Sequence, residues 1–179
     1  GGILRLVVGG TLTNDGLLSA EAVEAGYYVG AGGSVNIRAA ELLGSGVISA
    51  AAWQSFVSGT WAQSSGGRVA IRLTGQGADF SGYTGSILAN GTHKRSPAVN
   101  EYTGSAGTVW LKSAAEGEAD GRLIVDNGFA GLTWYRATLL GGDYMAADEL
   151  SYRDVLVGRS CRLQLAEDKT LTVSGVFSN

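Results

Sequence analysis

The chain has 179 residues, with 29 glycines against one proline and a formal net charge of −3 from 13 Lys plus Arg and 16 Asp plus Glu. That balance excludes a global basic field for gripping nucleic acid, and no apolar run reaches the length that spans a bilayer. The single cysteine, Cys161, excludes an intrachain disulfide, and with one histidine beside it the zinc-ligand supply is too small for a site.

The first predicted strand, Gly2-Ile3-Leu4-Arg5-Leu6, sets a phrase that returns as Gly33-Ser34-Val35-Asn36-Ile37-Arg38, Gly67-Arg68-Val69-Ala70-Ile71-Arg72 and Gly107-Thr108-Val109-Trp110-Leu111-Lys112. Each copy alternates apolar and polar residues after a glycine, the period of a strand with one buried face. A second glycine-led phrase trails each copy: Gly16-Leu17-Leu18-Ser19-Ala20, Gly46-Val47-Ile48-Ser49-Ala50, Gly85-Ser86-Ile87-Leu88-Ala89 and Gly121-Arg122-Leu123-Ile124-Val125. The steps between the two anchors are 14, 13, 18 and 14 residues. One unit is therefore strand, turn, strand, variable loop. Stacked, the copies form columns: Leu4, Val35, Val69, Val109; Leu6, Ile37, Ile71, Leu111; Leu18, Ile48, Ile87, Leu123; and Ala20, Ala50, Ala89, Val125. Such columns are what parallel strands about 4.8 Å apart need in order to share one core, since no single unit buries its apolar face alone.

In chain order the units are 1–32, 33–66, 67–106 and 107–128. The loop of the first carries Tyr27 and Tyr28, that of the second Trp53, Phe56 and Trp61, and that of the third His93, Lys94, Arg95, Glu101 and Tyr102. After Gly128 the rhythm loosens. Residues 129–150 read as an irregular covering segment, in which 132–140 suggest a strand over one side and Asp143 to Leu150 a short helix. Strand signals return over 151–179 as a further coil. Because the chain opens directly in a repeat phrase, the expectation is a single domain, 1–179, cut from a longer protein or covered at its ends by other subunits.

The Gly-Gly-x-Val-x-Ile strands, the Gly-x-Ile-x-Ala strands and the glycine-rich spacers resemble the parallel β-helix segments of large secreted bacterial surface proteins, of pectin-lyase-like architecture. The resemblance covers most of the chain outside 129–150. It implies an all-β fold, a single-stranded parallel β-helix of about five irregular coils with long loops on one side, and an extracellular or cell-surface location. Fold likeness does not carry function. No catalytic motif of the β-helical lyases and hydrolases transfers to residues of this chain.

Two sets of residues are candidates for ligand binding. Tyr27, Tyr28, Trp53, Phe56, Trp61 and Tyr102 lie in the same inter-unit connection of successive units, so they are expected to gather on one side, where flat rings meet sugar C–H groups or a partner's apolar patch. The bland reading is that they roof the fold or bury a subunit contact. Arg38, Arg72 and Lys112 follow the inward column and should project outward as a vertical row of positive charge, truncated by Val7 in the first unit. The bland reading there is neutralisation by neighbouring carboxylates or water. His93, Lys94, Arg95 and Glu101 hold the residue types of acid–base chemistry, with a solvated loop as the alternative. Glu116, Glu118 and Asp120 match no calcium-loop spacing and read as a charged corner. The functional expectation is a non-enzymatic adhesin or fibre-tip module that binds a glycan or surface receptor, with no cofactor or metal. The alternatives are a polysaccharide lyase or hydrolase acting on an anionic glycan, and a structural stalk associating as a homotrimer.

Overall fold

The computed structural model describes residues 1–25, 28–52, 64–94, 102–117, 120–129, 136–142 and 149–179. In chain order the strands are β1 (Ile3–Thr13), β2 (Leu17–Ser19), β3 (Glu24–Ala25), β4 (Tyr28–Val29), β5 (Ser34–Leu43), β6 (Val47–Ser49), β7 (Arg68–Leu73), β8 (Ser86–Leu88) and β9 (His93–Lys94). There follow β10 (Tyr102–Thr103), β11 (Thr108–Lys112), β12 (Arg122–Val125), β13 (Ala137–Leu140), β14 (Glu149–Tyr152), β15 (Asp154–Val157), β16 (Arg162–Leu165), β17 (Thr170–Val173) and β18 (Phe177–Ser178). Among the described residues the protein is all-β, and most of its strand pairs are parallel.

The repeat phrases stack as their alternation requires. Strands β1, β5, β7 and β11 lie side by side and parallel, with Leu4 beside Val35, Val35 beside Val69 and Val69 beside Val109. Leu6, Ile37, Ile71 and Leu111 form the next column in the same register. A second parallel sheet, β2-β6-β8, brings Leu18, Ile48 and Ile87 into line. Between the two sheets lies the first core, in which Val35, Ile37, Ile48, Val69 and Ile71 are at most 1% exposed. The layers approach so closely at their entries that a Cβ on Gly67 would stand 1.9 Å from the carbonyl oxygen of Gly33, and one on Gly107 the same distance from that of Gly67. Only glycine fits there.

The fourth unit departs from the expected pattern. At Gly121, whose φ of +125° suits a residue without a side chain, the chain doubles back, and β12 pairs antiparallel with β11 instead of extending the β2-β6-β8 sheet. Leu123 and Val125 therefore leave the columns assigned to them beside Ile87 and Ala89. The reason lies in the run Leu123-Ile124-Val125, which is apolar on both faces and is stable where both are covered. Ile124 stands opposite Val109 and packs against the first core, while Leu123 and Val125 point the other way into a second core with Leu140, Leu150, Val155 and Val157.

This second core is bounded by four parallel pairings in three groups, β12-β15-β18, β13-β16 and β14-β17. Leu123 lies beside Val155 and Val125 beside Val157; Thr138 and Leu140 face Leu163 and Leu165; Leu150 faces Leu171. The segment 129–150, expected to be an irregular cover, thus supplies strands β13 and β14 to a packed unit, because Thr138, Leu140 and Leu150 alternate inward. Glu149 and Leu150, expected at the end of a short helix, are extended in β14; the rest of that segment, 143–148, lies outside the described residues, as do 132–135. Asn127, fully buried, ties the units together: its Oδ1 accepts from Gly91 N at 2.9 Å, and its Nδ2 donates to Ser160 O at 2.9 Å and Gly104 O at 3.4 Å.

Candidate functional site: the loop flank and the junction cleft

The three inter-unit loops leave and return at stacked positions. At the exits, Ala22 N donates to Ala51 O and Ala52 N to Asn90 O. At the returns, Gly32 N donates to Ser65 O and Gly66 N to Ser105 O. Thr92 strengthens the base of the third loop by accepting from Ser64 N at 2.8 Å through its hydroxyl, and Gly104 N closes onto Thr92 O. The backbone ladder thus roots all three loops on one flank. Two of them carry short antiparallel pairings, β3 with β4 and β9 with β10, which put Tyr28 beside Ala25 and Tyr102 beside Lys94 along the backbone. Tyr27, Trp53, Phe56 and Trp61 lie outside the described residues, as do Arg95 and Glu101 of the acid–base candidates.

The basic row is in register but not uniformly on the surface. Arg38 pairs with Arg72 and Arg72 with Lys112. Arg38 is exposed and Arg72 half-buried, whereas Lys112 is only 3% exposed, its Nζ donating to Glu116 O at 2.5 Å. The expected outward row therefore ends before Lys112. The turn that follows β11 folds over that ammonium, and a carbonyl dipole takes the place of water.

That turn builds one wall of a cleft of about 440 Å³ at the junction of the two units. The cleft is also lined by the loop 77–81 after β7, whose Phe80 packs against the first core. Glu116, whose side chain is 8% exposed, accepts through Oε2 from Ser113 N at 2.6 Å and Ser113 Oγ at 2.7 Å, and meets Arg153 Nη1 through Oε1 at 2.8 Å. Arg153 also donates to Asp154 Oδ2 through Nε at 3.0 Å and Nη2 at 2.8 Å. Those bonds, the one to Asp154 foremost, hold its guanidinium even more firmly charged than usual. Asp154 is held below the ordinary carboxylate range by the amide of Val176 and by Arg153. Asp79 is lowered by the hydroxyl and amide of Ser81, both of which donate to its Oδ1. Arg122 completes the cleft, half-exposed, at 3.5 Å from Asp154.

Neither Asp79 nor Arg153 stood out in the sequence as a site residue. The signal that marks the cleft is the third unit's 18-residue step between phrases, against 13 or 14 elsewhere: the extra residues are the 77–81 wall. Among the described acidic residues of the expected charged corner, Glu116 is committed to Arg153, and Asp120 accepts from Gly117 N at 3.0 Å. Cys161 is half-buried with its thiol pushed up to about 11 by burial, which makes it a poor nucleophile at neutral pH.

No family model, curated protein or solved structure matches this chain.

Proposed function

We propose that the chain is a non-enzymatic binding module, a parallel β-helix segment of a secreted bacterial surface protein or fibre tip, which recognises a glycan or surface receptor through its aromatic inter-unit loops. The observation that carries this reading is the hydrogen-bonded stacking of the loop bases at Ala22, Ala51, Ala52 and Asn90 on one side and Gly32, Ser65, Gly66 and Ser105 on the other. The six aromatic residues belong by sequence to three loops whose bases are stacked in one ladder, and binding residues are disproportionately found on loops held by such scaffolds. The coil reading is supported by the in-register columns in two cores. At β12 the strand direction reverses and the packed cluster lies on the other face of the shared sheet. The non-enzymatic reading is supported by Glu116, whose Oε2 accepts from Ser113 and whose Oε1 is ion-paired with Arg153, a structural use of the carboxylate.

A glycan array probed with the intact protein and with the W53A/W61A variant tests the proposal. Selective binding that the variant loses, with an unchanged circular dichroism spectrum and melting temperature, is the expected result. Binding retained in full by the variant, or release of unsaturated or reducing products from a uronate polymer, overturns it. A trimer in sedimentation whose association the same variant abolishes, with no array signal, assigns the rings to a subunit contact instead.

A further inference from the structure

We propose that the junction cleft is a second ligand site, separate from the loop flank, and that it takes an uncharged pyranose. The cleft sits past the carboxyl ends of β7 and β11, whereas the loops return ahead of the amino ends of β5, β7 and β11, so the two sites occupy opposite ends of the same strands. Its volume of about 440 Å³ falls in the range of small-molecule sites, roughly 300–1,000 Å³.

The lining selects the class of ligand. Glu116 and Arg153 are paired with each other, which leaves Asp79 and Arg122, one group of each sign, to face a ligand. A neutral molecule rich in hydroxyls suits both signs, since each hydroxyl donates to a carboxylate and accepts from a guanidinium. The groups are held in place before any ligand arrives. Arg153 is fixed from two sides, by hydrogen bonds from Nε and Nη2 to Asp154 and by an ion pair of Nη1 with Glu116. Asp79, an exposed residue, is fixed through Oδ1 by Ser81. Arg122, about half exposed, is held among the described residues by the 3.5 Å approach to Asp154, so its donors reach a ligand at little cost. Phe80 supplies an apolar surface for the C–H face of a sugar ring. Fixed planar polar groups around an apolar platform hold a ligand with hydroxyl edges and C–H faces at a low ordering cost.

Amide NMR titration of the intact protein with the methyl glycosides of glucose, galactose and mannose, and with galacturonate as the anionic comparator, tests the site. The expected result is saturable shifts, produced by at least one neutral glycoside, at the amides of residues 77–81 and at the Nε–H signals of Arg122 and Arg153. R122Q, at an exposed position, should weaken that affinity about tenfold, D79N should weaken it as well, and W53A/W61A should leave it unchanged. That last arm separates this site from the loop flank. Shifts with galacturonate alone, no saturable shift with any neutral glycoside, or equal affinity in wild type, R122Q and D79N overturns the proposal.

Discussion

Val109 and Ile124 stand opposite each other across the antiparallel pairing of β11 with β12, both turned toward the first core, and the residue on either side of Ile124 belongs to the second. One strand thus serves as a wall for two cores. Its burial follows from its composition: Leu123 and Val125 are at most 2% exposed on one face, and Ile124 is covered on the other. The same place makes the junction cleft, because the chain between Lys112 and Gly121 must turn back and its Glu116 meets Arg153 from the second unit.

Truncation inside a column should cost far more than truncation at the free edge. Ile71 is fully buried between Ile37 and Leu111, so Ile71→Ala should lose about 2–5 kcal/mol of stability. Ile3, 86% exposed on the outer face of β1, should lose no more than about 0.5 kcal/mol on the same change. Urea denaturation of the two variants measures the difference, and equal midpoints would show that the columns do not form the core.

Glycine-to-alanine changes should split by position in the stack. At Gly67 the new methyl collides with backbone, 1.9 Å from Gly33 O, and neither layer can yield without breaking its ladder; a loss of about 3 kcal/mol or more is expected. At Gly9 nothing lies within 4 Å of the added carbon, and the variant should melt within a few degrees of wild type. Thermal melts of both proteins check this, and a Gly67→Ala protein as stable as the Gly9→Ala one would contradict the close approach of the layers.

Asp126 gives the second unit a dependence on pH. Burial alone would raise its pKa, but Arg159, whose Nη2 is 2.8 Å from Oδ2, and the amides of Gly128 and Arg159 outweigh that and lower it. A carboxylate lowered on folding stabilises the native state above its unfolded pKa, about 3.9, and this contribution is lost as pH falls through the folded value. Arg159 is more than half exposed and Asp126 about a quarter, so solvent screens the pair and Asp126→Asn should cost about 1 kcal/mol at pH 7. The gap between wild type and variant should close in acid, below the folded pKa. Denaturation series at several pH values read this directly; a gap that widened toward acid would reverse the sign.

The columns are legible in the amino-acid sequence because they depend on a local rule. A strand with one buried face repeats every second residue, and four copies at regular spacing name their own partners: Leu4, Val35, Val69 and Val109 meet as their phrases predict. The charge row is legible in register but not in exposure, since nothing near Lys112 in the chain announces that Glu116 O will cover it. The cleft leaves one trace, the long third step, but its partners Glu116 and Arg153 are joined only by the packing of two units.

The amino-acid order by itself determined which side chains alternate, where the glycines permit layers to touch, and which phrases are equivalent, because these are properties of neighbouring residues and of a two-residue period. The direction in which Arg122–Val125 runs, the face to which each of its side chains is assigned, and the gathering of Asp79, Glu116, Arg122 and Arg153 were decided only in three dimensions. A run that is apolar on both faces has two equally good orientations along the chain, and the choice between them is made by which surfaces are already there to cover it.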